Sequence, residues 1–156
     1  MFRINVTVFI LFVFVAEVCP EQITPITREE IIEPTTKRLV AIGDLHGDWK
    51  NALSVLQLSN LTDDQGHWIG GTAHLVQTGD IVDRGPNSTD LIDLFARLQV
   101  EAAEAGGKVT CLLGNHELMI LSGDLRYVSQ QELKTLAVAA GRPAHEGKAV
   151  WSAQFA

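Results

Sequence analysis

Cysteine and positive charge are both scarce in this chain of 156 residues. The two cysteines, Cys19 and Cys111, are too few for a disulfide framework or for a zinc site built from thiolates. Twelve lysine and arginine residues against nineteen acidic residues give a net charge of −7. A general nucleic-acid binder holds phosphate with clustered cations. The composition therefore argues against that class, and we expect no nucleic-acid partner.

Long apolar runs are scarce as well, and the one that stands out lies near the N-terminus. The run from Val6 to Ala16 is too short to span a bilayer, which needs roughly 20 apolar residues. With Arg3 ahead of it, the run matches a secretory signal peptide, which we predict over residues 1–19. An uncleaved signal anchor is the alternative. We expect a secretory-pathway or extracellular location, no stable membrane span after signal removal, and an extended leader over residues 20–37.

Short β-rich runs alternate with helical patterns from residue 38 onward. The predicted strands are residues 38–42, 73–77 and 108–113, each a short apolar run that stops at a glycine. Apolar residues at helical spacing predict helices over 49–58, 90–105 and about 130–140. The βαβαβα order predicts an α/β fold with a parallel sheet and helices on its faces.

Each predicted strand is followed by glycine and then by residue types that bind metal ions. The three segments are GDLHGD from Gly43, GDIVDRG from Gly79 and GNHE from Gly114. Ligands bind beyond the carboxyl ends of strands in open α/β sheets. We therefore expect the three loops to project their polar side chains into one cleft. These side chains are Asp44, His46, Asp80, Asn115 and His116.

Mixed oxygen and nitrogen donors suit Mn²⁺, Fe or Zn²⁺ better than Ca²⁺, which prefers oxygen alone. Two such divalent ions about 3.5–4 Å apart would clamp a phosphoryl group and share a hydroxide nucleophile. We expect Asp80 to bridge both ions, because a carboxylate has two oxygens. Asp44 and His46 would then bind the first ion, and Asn115 the second. If these residues have no role in metal binding, they are polar loop residues that cap helices.

Three side chains near these ligands predict phosphate chemistry. The fork of Arg84 suits phosphate oxygens. His116 is the candidate general acid that protonates the leaving oxygen, and Asp83 would orient it and hold its protonated form. A simple surface ion pair between Asp83 and Arg84 is the alternative.

Other polar residues have predicted roles in structure. Asp48 is expected to cap the following helix rather than to bind metal. Glu117 is left open between a residue that supports the ligands and an acid at a helix start. His67 and His74 do not follow a strand and are expected to be structural, and Cys111 to be a small hydrophobic residue.

The motifs GDLHGD, GDIVDRG and GNHE resemble those of the calcineurin-like metallophosphoesterases, in particular the PPP-type phosphoprotein phosphatases. An Asp in GDLHGD where most members have Gln, and the segment 121–128, resemble the Shewanella-like phosphatase branch. The resemblance covers about residues 37–130. It implies metal ligands at Asp44, His46, Asp80 and Asn115, a phosphate ligand at Arg84, and an acid pair of His116 with Asp83.

The resemblance also implies two further histidine ligands and another substrate-binding arginine well downstream of GNHE. The sequence stops at Ala156, and His145, the one histidine after His116, lies in a context that matches neither motif. We therefore expect residues 38–156 to be the first half of a metallophosphatase-type α/β sandwich, a truncated phosphoesterase domain whose C-terminal half is missing. Such a half would leave a sheet edge and apolar surface uncovered.

The expected function is hydrolysis of phosphate monoesters by metal-bound hydroxide, acting on phosphoserine, phosphothreonine or phosphotyrosine in a phosphorylated protein. Two alternatives stay open. One is a phosphoesterase for nucleotides or other small phosphoesters, since the same motifs serve both substrate classes. The other is an inactive chain that binds one metal or a partner protein, because the downstream histidines are absent.

Overall fold

The computed structural model describes residues 37–154, and the structural statements below concern that part of the chain. The predicted signal peptide over 1–19 and the leader up to residue 36 lie outside the described residues. Within the described part, no helix combines the length and the apolar character needed to cross a membrane.

Strands alternate with helices in the predicted order. The strands are β1 (Leu39–Ile42), β2 (His74–Gln77) and β3 (Lys108–Cys111). The α-helices are α1 (Trp49–Leu58), α2 (Ser88–Glu104), α3 (Asn115–Leu121), α4 (Gln130–Ala139) and α5 (Gly147–Gln154), with a 3₁₀ turn over Ala144–Glu146 before α5.

The three strands form one parallel sheet in the order β1-β2-β3. Ile42 at the end of β1 pairs with Gln77 at the end of β2, which pairs in turn with Cys111 at the end of β3. The strands therefore end at the same level, and the loops that follow them begin side by side. This confirms the predicted α/β architecture and brings the three polar motifs to one end of the sheet.

The apolar core is built by amphipathic helices and the sheet. On α2, buried side chains recur at helical spacing, and α1 contributes Ala52 and Leu56. They form one buried cluster with strand residues such as Leu75 and Val109. Trp151 of α5 is fully buried and belongs to the same cluster. The buried apolar residues of α2 are Leu91, Leu94, Phe95, Leu98 and Ala102.

The chain leaves β3 earlier than the sequence predicted. The strand ends at Cys111, and Leu112 and Leu113 are 48% and 63% exposed. The helix α3, which the periodicity did not predict, begins directly afterwards at Asn115. Its Leu118 and Leu121 are exposed as well, and Leu112, Leu113 and Leu121 line an apolar groove. Leu112 and Leu113 therefore lie on the surface after the strand and are not part of it.

Candidate metal centre

The loops after β1 and β2 are tied together by main-chain hydrogen bonds. The carbonyl oxygen of Asp80 accepts from the amides of Leu45 and His46, at 3.0 Å each. The amide of Gly47 donates to the carbonyl of Ile81 at 2.7 Å. These bonds lock the loop that carries His46 onto the loop that carries Asp80.

The loop after β2 is also fixed from α3 by the side chain of Glu117. One carboxylate oxygen accepts from the amides of Asp80 and Gly114, both at 2.7 Å. The other accepts from the amides of Ile81 at 2.8 Å and Val82 at 3.3 Å. The charged acceptor satisfies four amides that point away from any strand or helix partner. Glu117 is thus both an acid in the first turn of α3 and the support of the Asp80 loop.

Most of the predicted site residues have left-handed backbone conformations. Within residues 37–154, five non-glycine residues have positive φ angles, and four of them are His46 (47°), Asp80 (56°), Asp83 (70°) and Arg84 (64°). This conformation costs roughly 1–2 kcal/mol per non-glycine residue, and such strain concentrates at functional sites. The hydrogen bonds of the loops hold the strained backbone in place.

Glycine is required where the second and third loops meet. Gly79 has a φ of 104°, and a Cβ atom at this position would collide with the amide nitrogen of Gly114. A Cβ atom on Gly114 would in turn collide with the carboxylate of Asp80. The motif glycines therefore let the second and third loops approach so closely that the Asp80 carboxylate lies directly against the backbone of Gly114.

His46, Asp80 and His116 form a cluster with metal-binding geometry. Each offers one ligand atom, and these atoms lie within 4.8 Å of one another. Nδ1 of His46 lies 3.1 Å from the carbonyl oxygen of Val82, so it donates its proton there. Nε2 then carries the lone pair, and this buried atom has no hydrogen-bond partner among the described residues. A histidine that donates from one nitrogen and presents the other is the usual form of a metal ligand.

Two other predicted ligands, Asp44 and Asn115, are exposed. The carboxylate of Asp44 lies 3.5 Å from Nε2 of His46, and its side chain is 64% exposed. Asn115 is the exposed first residue of α3. The next residue along, His116, donates from its amide to the Asp80 carboxylate at 2.9 Å. The donor set of carboxylate, imidazole and amide groups fits a divalent transition-metal ion.

His116 and Asp83 form a buried pair. Nδ1 of His116 lies 2.8 Å from a carboxylate oxygen of Asp83, and the two side chains are 5% and 0% exposed. The amide of Asp83 donates to the hydroxyl of Ser88 at 3.1 Å, which fixes the backbone behind the pair. Nε2 of His116 lies 3.3 Å from Nη2 of Arg84. Asp83 thus contacts the histidine rather than forming a surface ion pair with Arg84.

An open groove leads away from Arg84 along the start of α1. Its lining residues include His46, Arg84, Trp49, Lys50 and Asn87. The lining includes one residue of the cluster, His46, together with the cation of Arg84 and the ring of Trp49.

The residues predicted to be structural lie in structural contacts. Asp48 caps α1, because its carboxylate accepts from the amide of Asn51 at 3.0 Å. Nε2 of His74 lies 2.9 Å from the hydroxyl of Thr110 on the neighbouring strand. Burial, together with the charge of nearby Glu117, raises the pKa of the Cys111 thiol to about 11, so this cysteine is a neutral thiol that packs against the core.

His67 belongs to a separate ionic cluster. Its Nδ1 lies 2.9 Å from the carboxylate of Glu101, which also accepts from Arg97 at 2.8 Å and from the amide of Trp68 at 2.7 Å. These contacts join the loop after α1 to α2. The contact of His67 therefore stabilises the packing of this loop on α2.

Sequence reasoning gave no role to Tyr127, which lies beside the buried pair. Its ring centroid is 5.2 Å from that of His116, and its carbonyl oxygen accepts from the amide of Arg84 at 2.8 Å. The one signal in the sequence was that residues 121–128 belong to the segment of resemblance.

The chain is similar to several known proteins. Shewanella-like protein phosphatase 2 of Arabidopsis thaliana is 38% identical over 117 residues, which are 73% of this chain and 30% of that protein. The symmetrical bis(5'-nucleosyl)-tetraphosphatase of Salmonella paratyphi B is 36% identical over 81 residues, which are 52% of this chain and 24% of that protein. The crystal structure of the cold-active protein-tyrosine phosphatase of a psychrophile Shewanella species matches with a TM-score of 0.62 at 36% identity, over 74% of this chain and 37% of that one.

The chain thus spans 30% or less of the length of these two curated relatives. The model of the calcineurin-like phosphoesterase family matches residues 37–147, a region that contains all three polar loops. This match covers most of the chain, and the resemblance read from the three motifs is confirmed: the chain belongs to the calcineurin-like phosphoesterase family.

Proposed function

We propose that the chain carries the metal-binding and phosphate-binding part of a phosphoprotein phosphatase that hydrolyses phosphate monoesters. The observation that carries the proposal is that the candidate ligands His46 and Asp80 cluster with the candidate acid His116, whose Nε2 lies 3.3 Å from the guanidinium group of Arg84. Metal ligands adjacent to a guanidinium group are what a phosphate ester requires, since both neutralise its charge.

The residues that would hold divalent ions are those of the two loops after β1 and β2 and of the start of α3. We propose Asp44 and His46 for one ion, Asn115 for a second, and Asp80 for both, with Mn²⁺, Fe or Zn²⁺ as the ions. When bound, such ions neutralise phosphate charge and make water a stronger nucleophile. Asp80 is suited to its place because Glu117 and the Leu45 and His46 amides fix its backbone.

The chain's own side chains would bind the phosphate and move one proton. Arg84 is exposed toward the groove and would donate to phosphate oxygens through its guanidinium fork. His116 would protonate the leaving oxygen from Nε2, since Nδ1 is held by Asp83. The fully buried Asp83 carboxylate would stabilise the imidazolium form and keep the ring in one orientation.

A phosphorylated protein is the proposed substrate class. The Arabidopsis relative and the Shewanella structure are named as protein phosphatases, and they match 73% and 74% of this chain. The tetraphosphatase relative matches 52%. The open groove beyond Arg84 is also more suitable for an extended peptide than a closed pocket is.

The experiment is a p-nitrophenyl phosphate assay of the full chain with Mn²⁺. We expect turnover that Asp80→Asn lowers by about a hundredfold or more, because the charge that holds the ions is lost. Asp93→Asn makes the same change on the exposed surface of α2 and serves as the matched control. Turnover in the wild type no higher than in Asp80→Asn would contradict the proposal and favour an inactive metal-binding chain.

A second assay separates the substrate classes. Phosphotyrosine and phosphoserine peptides are compared with a dinucleoside tetraphosphate as substrates of the Mn²⁺-loaded chain. A phosphoprotein phosphatase has the higher kcat/KM on a peptide. A higher kcat/KM on the dinucleotide would replace the proposal with a nucleotide phosphoesterase.

A further inference from the structure

The segment from Asp124 to Val128, between α3 and α4, lies against the phosphate end of the site. The carbonyl oxygen of Tyr127 accepts from the amide of Arg84 at 2.8 Å. The ring of the same residue packs on His116, with centroids 5.2 Å apart and planes inclined at 59°. One residue therefore contacts both groups to which the proposed function assigns phosphate binding and proton transfer.

The two contacts of Tyr127 restrain parts of Arg84 and His116 that their other neighbours leave free to move. Arg84 has a φ of 64°, and a backbone held in this conformation needs a fixed hydrogen-bond partner. His116 is held at its two ring nitrogens, by Asp83 at Nδ1 and by a longer contact of 3.3 Å with Arg84 at Nε2, and a ring held at these two atoms still tilts about the line that joins them. The rings of His46, at 4.7 Å, and of Tyr127 are the surfaces that limit the tilt.

The Tyr127 ring is itself held in place by neighbouring charges. The guanidinium group of Arg126 lies over the ring, 5.9 Å from its centroid. Arg126 is fixed in turn by Asp124, whose carboxylate accepts from Nε at 3.0 and 2.9 Å and from Nη2 at 2.6 Å. Buried Val128 anchors the end of the segment, whereas Tyr127 is 46% exposed. The ion pair of Asp124 with Arg126 is largely exposed, and such a pair contributes little to stability. Neither this pair nor burial of Tyr127 explains why the ring is held at this place.

We propose that Tyr127 is a positioning residue of the site, whose ring keeps His116 in one orientation and whose carbonyl fixes the backbone of Arg84. The importance of this role for catalysis rests on the proposed function, while the restraint on His116 does not depend on it.

The test of the restraint is NMR of the full chain with labelled histidine rings. In the wild type we expect nuclear Overhauser effects between the His116 and His46 rings and between the His116 and Tyr127 rings. Tyr127→Phe retains the ring and keeps the His116–His46 effect. Tyr127→Leu loses the ring, and we expect the His116–His46 effect to fall at least twofold and the His116 ring resonances to move. An unchanged His116–His46 effect in Tyr127→Leu would overturn the proposal.

A second variant covers the case in which Tyr127→Leu does not fold. Asp124→Asn removes the charge that holds Arg126 over the ring without touching a buried side chain. We expect the same change at His116, smaller in size. Wild-type His116 signals in a folded Asp124→Asn chain with a displaced Tyr127 ring would equally overturn the proposal.

Turnover gives a readout of the catalytic consequence. The main-chain carbonyl that binds Arg84 is present whatever the side chain, so Tyr127→Leu should leave KM for p-nitrophenyl phosphate within about twofold and lower kcat about tenfold. Tyr127→Phe should restore kcat, because the contact is made by the ring. Equal kcat in wild type and Tyr127→Leu would contradict the role. Failure of the wild type to turn over would count against the proposed function, and the NMR result would still decide the restraint.

Discussion

The two histidines of the site are both held at Nδ1, by different partners. Nδ1 of His46 donates to the carbonyl of Val82, and Nδ1 of His116 faces the carboxylate of Asp83. In both rings Nε2 then lies near a charged side chain, Asp44 at 3.5 Å from His46 and Arg84 at 3.3 Å from His116. The partner of His46 is a neutral carbonyl and that of His116 is a buried carboxylate, which suits the metal ligand and the general acid proposed for these two residues.

Glu117→Gln tests the support of the Asp80 loop. An amide side chain has one acceptor oxygen, and its NH₂ group would face amides that also donate. We expect the free energy of unfolding to fall by about 2 kcal/mol, since bonds to a charged acceptor are lost. Urea unfolding measures it, with Glu104→Gln at the exposed end of α2 as control. Equal losses in the two variants would count against the role of Glu117.

The Glu101 cluster predicts a loss of stability in acid. Burial alone would raise the pKa of Glu101, but hydrogen bonds from Trp68, His67 and Arg97 outweigh it and lower the pKa to about 2 from an ordinary 4.5. Because the folded pKa is the lower one, the stabilisation is present above pH 4.5 and is lost as the pH falls toward 2.

We therefore expect Glu101→Gln to lower the free energy of unfolding by about 1–2 kcal/mol at pH 7, an estimate reduced for the partial exposure of the group. The difference from wild type should shrink as the pH falls and disappear near pH 2. Urea midpoints across this range measure it. A difference that stays constant with pH would show that the carboxylate charge is not the cause.

Residue types at the site were predictable, while their partners were not. The motifs predicted Asp44, His46, Asp80 and Asn115 because ligand chemistry restricts which side chains follow the strands. The four amides on Glu117 and the ring of Tyr127 depend on how α3 and the following segment return to the loops. That return is set by tertiary packing, which leaves no local pattern in the sequence.

At the scale of elements, local signals decided which predictions succeeded. The bounds of α1 agree with the predicted 49–58, because Asp48 caps a clear apolar periodicity. The helix α3 was missed because it has seven residues and its exposed leucines mask its periodicity. The same exposed leucines at 112 and 113 extended the predicted third strand by two residues. Exposed apolar residues after β3 therefore make the sequence predict a longer strand than the structure has.

The contact between α4 and α2 predicts a pH-dependent stability. Glu132 of α4 is 3% exposed, and its carboxylate accepts from the amide of Thr89 at the start of α2 at 2.9 Å. Burial raises the pKa of Glu132, the charge of nearby Asp90 acts in the same direction, and hydrogen bonds from Ser88 and Thr89 oppose them. A raised pKa in the folded state means that stability falls as the pH rises through it.

Glu132→Gln removes this titration. We expect the melting temperature of the variant, relative to that of the wild type, to rise as the pH increases from about 4 to 8. The reason is that a buried neutral amide does not pay the free-energy cost of a buried charge. Thermal unfolding across this range measures the gain, with Glu104→Gln again as the control. A constant difference at all pH values would contradict the assignment.

At the scale of the whole molecule, the sheet register decides the position of the site. All three strands end level, so the loops meet without any long insertion. The alternation of strands and helices was enough to predict this, because parallel strands joined through helices place their carboxyl ends together.

Metal binding should stabilise the folded chain. Buried Nε2 of His46 lacks a hydrogen-bond partner among the described residues, and a bound ion would satisfy it. With Mn²⁺ at a hundred times its dissociation constant, linkage adds about 2.7 kcal/mol to the free energy of unfolding. A rise in melting temperature that EDTA reverses is the expected result in wild type and in Asp93→Asn, but not in His46→Ala. The same rise in His46→Ala would place the ion elsewhere.

The left-handed backbone at Arg84 is a conformation that costs free energy for arginine and none for glycine. A glycine there would relieve the conformation at no steric cost, and the exposed guanidinium contributes little to holding the fold together. Under selection for survival at high temperature alone, this position should drift to glycine, whereas selection for catalysis should keep arginine. Retention of arginine in a heat-selected library grown without any demand for hydrolysis would show that the residue also serves the scaffold.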